Sequence, residues 1–164
     1  MTVSAIDILL TQKDSIWDQC SWIVPVAKAL EGLTAEQAAW VPSSGGLSIW
    51  QLVNHMHYYN LRISQRIQGI TSVPAAASNV ATFGDSGDAS DEQGWNDLVK
   101  SVTALAEQLR TQLAALQQSH LDAQYMDTED TWGLALSRWI IHDAYHSGQI
   151  VLLRRQQGSW NIIF

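Results

Sequence analysis

Apolar side chains recur along this chain at intervals of three and four residues in four long stretches, the period of a helix with one core-facing side. In the first stretch, from about Ser4 to Glu31, the stripe runs Ile6, Leu9, Leu10, Lys13, Ile16, Trp17, Cys20, Ile23, Val24, Ala27 and Leu30. Lys13 is its one misfit; Pro25 should bend the helix by removing a backbone donor, and Gly32 should end it. Thr34 and Gln37 then make a capping box for a short helix carrying Trp40. The second long helix begins at Ser48, with Gln51 as capping partner, follows Ile49, Leu52, Val53, Met56, Tyr59, Ile63 and Ile67, and stops at Gly69. The third starts at a Ser90 cap and buries Trp95, Leu98, Val99, Val102, Leu105, Leu109, Leu113 and Leu116. The fourth runs from about Thr131 to Gln157 and stops at Gly158.

What lies between these stretches sets the topology. Ile70 to Ala89 is rich in Ala, Ser, Gly and Val with hardly any charge, and reads as a long crossover or a site-covering loop. Leu121 to Asp130 is an acidic connector, and the apolar tail Ser159 to Phe164 should dock on the bundle or on a partner. No stretch calls for a strand pair. The expectation is an all-α fold with one domain over 1–164. It is a four-helix bundle, up-down-down-up, with a long crossover loop between helices two and three.

Composition narrows the function classes. With 46% hydrophobic and 15% charged residues, few side chains are spared for solvent, which favours an oligomer. A net charge of −7 and no basic cluster larger than Arg154-Arg155 argue against a nucleic-acid partner. No basic residue precedes Lys13, so the N-terminus does not read as a signal peptide, and charged or amide residues interrupt every candidate membrane span. The single cysteine, Cys20, permits no internal disulfide, suits a reducing cytoplasm, and reads as a small buried core thiol.

The chemistry concentrates in the fourth helix. His142 and His146 lie four residues apart, hence one above the other on a face shared with Trp139, Ile150 and Leu153. The stretch around them is apolar almost all round, which predicts a buried helix, and a buried pair of imidazoles points to metal ligation. His55, beside the core stripe of the second helix, is the best candidate for the third ligand; His57 is turned roughly 200° away from it and His120 lies past the third helix. Three neutral imidazoles leave a coordination position open, as in catalytic rather than structural zinc sites. That position suits a water or a substrate thiol, and imidazole serves zinc, nickel, iron and copper alike. Tyr59 and Arg62 follow His55 at one-turn steps, and Arg138 precedes His142 by one turn; either arginine can take a substrate carboxylate or pair with a surface Asp. Asp143 points about 100° away from His142, so it orients a neighbouring histidine or is solvated. Asp143, Ala144 and Tyr145 stand between the two histidines, without the Glu of a His-Glu-x-x-His peptidase.

Two segments, Ser48-Ile-Trp-Gln-Leu-Val-Asn-His55 and His142-Asp-Ala-Tyr-His146-Ser-Gly-Gln-Ile, together with the helix order and the loop between helices two and three, resemble the DinB-like superfamily of metal-dependent helical-bundle proteins. The likeness covers essentially the whole chain. It implies a four-helix bundle, commonly a homodimer, with Ni or Zn held by His55, His142 and His146. It also implies, for some members, transferase or isomerase activity with a low-molecular-weight thiol. The resulting expectation is a metal-dependent hydrolase or thiol S-transferase acting on a small-molecule substrate. A non-catalytic, stress-responsive metal-binding bundle and a metal-free interaction module are the competing readings.

Overall fold

The computed structural model describes residues 2–160 and is all-helical over them. Its long helices are α1 (Ala5–Trp17), α4 (Ile49–Ile67), α5 (Glu92–Ala114) and α7 (Trp132–Gln156). Short helices α2 (Val26–Leu30), α3 (Ala35–Ala39) and α6 (Gln118–Asp122) join them. Among the described residues no helix is long and apolar enough to cross a membrane.

The ends of these helices follow local chemistry. Ser4, Thr34 and Ser48 each accept the backbone N–H three residues on, and Asp7, Gln37 and Gln51 return the bond to the cap's own N–H. Thr131 caps α7 by accepting from Leu134. The cap of α5 is Asp91 rather than Ser90: the Asp91 carboxylate accepts from Gly94 N–H, while Ser90 donates to Asp88.

The first predicted helix is two helices. α1 ends at Trp17 and α2 begins after Pro25, which sits in extended backbone at φ −70°, ψ 154° rather than bending a continuous helix. Proline disfavours helical backbone in the residue before it, so the chain leaves the helix ahead of Pro25. With the helical period gone, Cys20 and Ile23 do not face inward: both are exposed, and so is Trp22 between them. Two further segments differ from expectation. The acidic connector begins inside α6, whose Leu121 is buried, and the loop after α4 contains a 3-10 turn at Val80–Thr82. Of the tail, Trp160 packs against the core with Arg154 above its ring, while 161–164 lie outside the described residues.

The core sits among the long helices, with Leu9, Ile49, Leu52, Val53, Leu109, Leu136, Ile140 and Ile150 buried in it. Helix α1 packs on α5 and α7, and α4 packs on α5 and α7. Polar contacts record the registers: His57 meets Ser101 and Ser64 meets Gln108 between α4 and α5. Lys13 meets Asp143 between α1 and α7, and Asp14 meets Arg110 between α1 and α5. Arg154, half of the sequence's one basic pair, is buried and donates to the carbonyls of Ala29, Glu31 and Ser159.

Helix α7 is not enclosed all round. Leu134, Ile141, Tyr145 and Leu152 are exposed. At about 100° per residue these four fall within roughly 40° of one another, so they form one apolar stripe on its outer face.

Candidate metal centre

The start of α4 shows why its sequence reads as it does. Ser48 caps the helix and its hydroxyl also donates to Ser86 carbonyl. Gln51 donates its side-chain amide to Gly84 carbonyl, and Asn54 donates to Phe83 carbonyl. These bonds strap the second half of the 68–91 connection along α4. Gly87 takes part in the fit: at φ 93° it lies so close to Trp50 that a Cβ there would stand 2.5 Å from the indole. The strap delivers Thr82 and Phe83 to His55.

His55 is buried, with Phe83 stacked parallel on its ring at 3.9 Å. Across from it, α7 presents His142 and His146. His142 Nε2 lies 3.0 Å from His55 Nε2 and 3.1 Å from His146 Nε2, and one ligand atom from each residue fits within a 4.8 Å span. His57 is elsewhere, with its Nε2 2.9 Å from Ser101 Oγ on α5, and His120 lies on α6.

The far side of each outer ring decides its tautomer. Thr82 Oγ1 donates its proton to Asn79 carbonyl at 2.5 Å, so toward His55 Nδ1, 2.6 Å away, it acts as acceptor. His55 therefore carries its proton on Nδ1 and turns a bare Nε2 inward. At His146, Nδ1 lies 2.6 Å from the side-chain carbonyl oxygen of Gln149, which only accepts. The Gln149 amide in turn donates to Tyr145 hydroxyl at 3.2 Å. His146 is thus fixed in the same way. Two bare lone pairs then face one nitrogen of His142. A single N–H on that nitrogen can satisfy only one of them well, whereas a cation satisfies all three rings. Nitrogens about 2.0–2.1 Å from a common zinc ion stand about 3.0–3.5 Å from one another, so the two close separations suit such an ion.

Electrostatics favour the neutral, ligating form of His55 and His146. Burial, reinforced by repulsion from His146 and His142, lowers the pKa of His55 to about 4 against the opposing pull of Asp143. Burial likewise lowers His146, although its bond to Gln149 opposes the shift. Asp143, the neighbour of His142, is buried rather than solvated. Its Oδ2 pairs with Lys13 Nζ at 3.2 Å, and Asn60 donates to both carboxylate oxygens at 3.0 and 3.1 Å. Burial opposes ionisation of Asp143, but Lys13, with help from His142 and Asn60, holds its carboxyl below the usual range. Asp143 Oδ1 stands 3.6 Å from His142 Nδ1, too far for a hydrogen bond, and that nitrogen has no other partner among the described residues.

The three imidazoles open on a cavity of about 670 Å³. Tyr59 lines it, edge-on to His55 and His142, with its hydroxyl donating to Asn79. Arg138 lines it too and is ion-paired with Asp130. Arg62 does not: its guanidinium donates to the carbonyls of Val73 and Pro74. The arginine that α4 contributes to the cavity is Arg66. Trp139 lines the cavity, whereas Trp50 packs against Trp95. Sequence reasoning passed over Thr82, Phe83, Asn60, Gln149 and Arg66. Only Gln149 carried a local signal, one turn beyond His146 on the same helix.

Residues 26–150 match the family model described as the DinB superfamily, a span that includes all three histidines. No curated protein and no solved structure matches the chain.

Proposed function

The chain belongs to the DinB superfamily, and from that premise we propose that it is a metal-dependent enzyme in which His55, His142 and His146 hold one divalent ion, nickel or zinc. The reaction we propose is hydrolysis or S-transfer with a low-molecular-weight thiol, on a small-molecule substrate. The observation that carries this reading is the direction of the nitrogens: Thr82 and Gln149 each occupy the Nδ1 side of a ring and leave its Nε2 for the centre. When bound, the ion supplies Lewis acidity, lowering the pKa of a water or thiol and polarising a substrate oxygen.

The chain's own residues do the remainder. Burial keeps His55 and His146 neutral at physiological pH, so their lone pairs stay available. Phe83 and Tyr59 wall the imidazole cluster and limit water there. The Tyr59 hydroxyl, held by Asn79, is the hydroxyl nearest in sequence to His55 among the cavity residues and is our choice for orienting a substrate. Arg138 and its partner Asp130 line the same cavity. A non-catalytic metal site would call for a further protein ligand; the open cavity favours the enzyme.

We read the architecture as one domain over 1–164, an up-down-down-up four-helix bundle in which 68–91 is the crossover. The registers support it: contacts advance in the same sense along α4 and α5, as His57–Ser101 and Ser64–Gln108 do. The exposed stripe Leu134, Ile141, Tyr145 and Leu152 supports a homodimer. The single cysteine suits the cytoplasm.

Elemental analysis of untagged protein tests the metal. About one nickel or zinc ion per chain, lost in His55→Ala and His146→Ala and kept in His57→Ala, is the expected result. A folded protein that lacks metal and refuses added zinc and nickel would overturn the reading.

A further inference from the structure

Among the described residues, Arg66 is the cation of the cavity that lacks a carboxylate partner. Its Nη1 donates to the Tyr125 hydroxyl and its guanidinium lies over the Tyr125 ring at 5.4 Å. No ion pair to Arg66 forms among the described residues, whereas Arg138 is paired with Asp130. Tyr125 is itself braced: Trp132 meets its ring edge-on at 4.9 Å, and its backbone N–H donates to Asp130 carbonyl at 2.8 Å. The guanidinium is therefore held in place before any ligand arrives. Arg66 and Arg138 against Asp130 leave the cavity wall with a net positive charge, on a chain whose net charge is −7.

Position along the helix relates Arg66 to the imidazoles. At about 100° and 1.5 Å per residue, Arg66 lies within roughly 20° of His55 on α4 and about 16 Å further along its axis. Helical side chains lean toward the N-terminus, so the guanidinium reaches back toward His55. Between the two ends, Tyr59, Ile63 and Trp139 give an aromatic and aliphatic wall.

Resting on the metal reading above, we propose that Arg66 is the anion subsite of this cavity, taking the carboxylate of an elongated substrate whose reactive end lies at His55, His142 and His146. The substrate class is a small amphipathic acid, with its carboxylate some two to three helical turns from the group that reacts.

Calorimetric titration of the purified protein with 8-phenyloctanoate, whose extended length matches two to three helical turns, with its uncharged amide and with inorganic phosphate tests the assignment. The acid should bind at least about tenfold more tightly than the amide, as expected for hydrogen bonds to a charged group. Arg66→Gln should erase that preference, Arg66→Lys should keep part of it, and Arg62→Gln should leave it intact. Equal binding of acid and amide, or a preference that survives in Arg66→Gln but is lost in His146→Ala, would overturn the subsite. Tighter binding of phosphate than of the acid would overturn the carboxylate assignment. Elemental analysis of the same samples keeps the two ideas apart: an Arg66-dependent preference in a protein that takes up no metal would sink the metal reading alone.

Discussion

Thr82 determines which nitrogen of His55 faces the cavity. Its hydroxyl gives its proton to Asn79 carbonyl and so can only accept from His55 Nδ1, 2.6 Å away. A residue of the 68–91 connection thereby sets the chemistry of a residue on α4. Partners of this kind orient metal-binding imidazoles and raise their basicity. Thr82→Val keeps the shape and removes the acceptor, so zinc affinity should fall about 10–100-fold, with Thr82→Ser close to the parent. Competition against a chromophoric chelator measures this; equal affinity in Thr82→Val would detach Thr82 from the centre.

Lys13 and Asp143 are both buried, 3.2 Å apart, with Asn60 bridging them. Removing one partner leaves a buried charge uncompensated, so Lys13→Met should destabilise the fold by about 3–5 kcal/mol. Lys13→Met combined with Asp143→Asn should recover much of that loss. Urea midpoints of the two single variants and the double variant test the coupling, and additive losses would show that the pair is not a unit.

The metal-free protein should lose stability as pH falls from about 6.5 toward 4. Burial holds the folded-state pKa of His55 near 4, below its ordinary value of 6.5. Between those values the unfolded chain binds the proton and the folded chain does not, so stability rises with pH across the window. His146 and His57, also lowered by burial, act in the same direction. Thermal melts at steps of pH should show this slope, shallower in His55→Asn. A flat profile in the parent protein would contradict it.

The stripe on α7 makes a prediction about assembly. Ile141 and Leu152 are 61% and 55% exposed on a face that also carries Leu134 and Tyr145. If two copies meet there, Ile141→Asp with Leu152→Lys should convert a dimer to a monomer in light scattering without lowering helix content. A dimer that survives both substitutions uses another surface. Tyr145 lines the cavity as well as the stripe, so a monomeric variant should also show altered ligand affinity.

Features lying within a turn or two of one helix could be read before any packing was known. The apolar stripes of α4, α5 and α7, the capping boxes at Thr34 and Ser48, and the placing of His142 over His146 all follow from the 3.6-residue period and from caps acting over three residues. What the period could not carry was any partnership across the chain. Lys13 read as a misfit because its counter-charge lies 130 residues away, and Asp143 could not be told from a solvated carboxylate without α1 packed against it. The 68–91 connection, lacking a stripe, gave no sign that Thr82 and Phe83 would lie on His55. Arg62 and Arg66 sit four residues apart on the same helix, yet only packing decided between them. Carbonyls of Val73 and Pro74 engage the first, while Tyr125 holds the second at the cavity wall. Local periodicity aims a side chain; the elements packed beside it determine what that side chain meets.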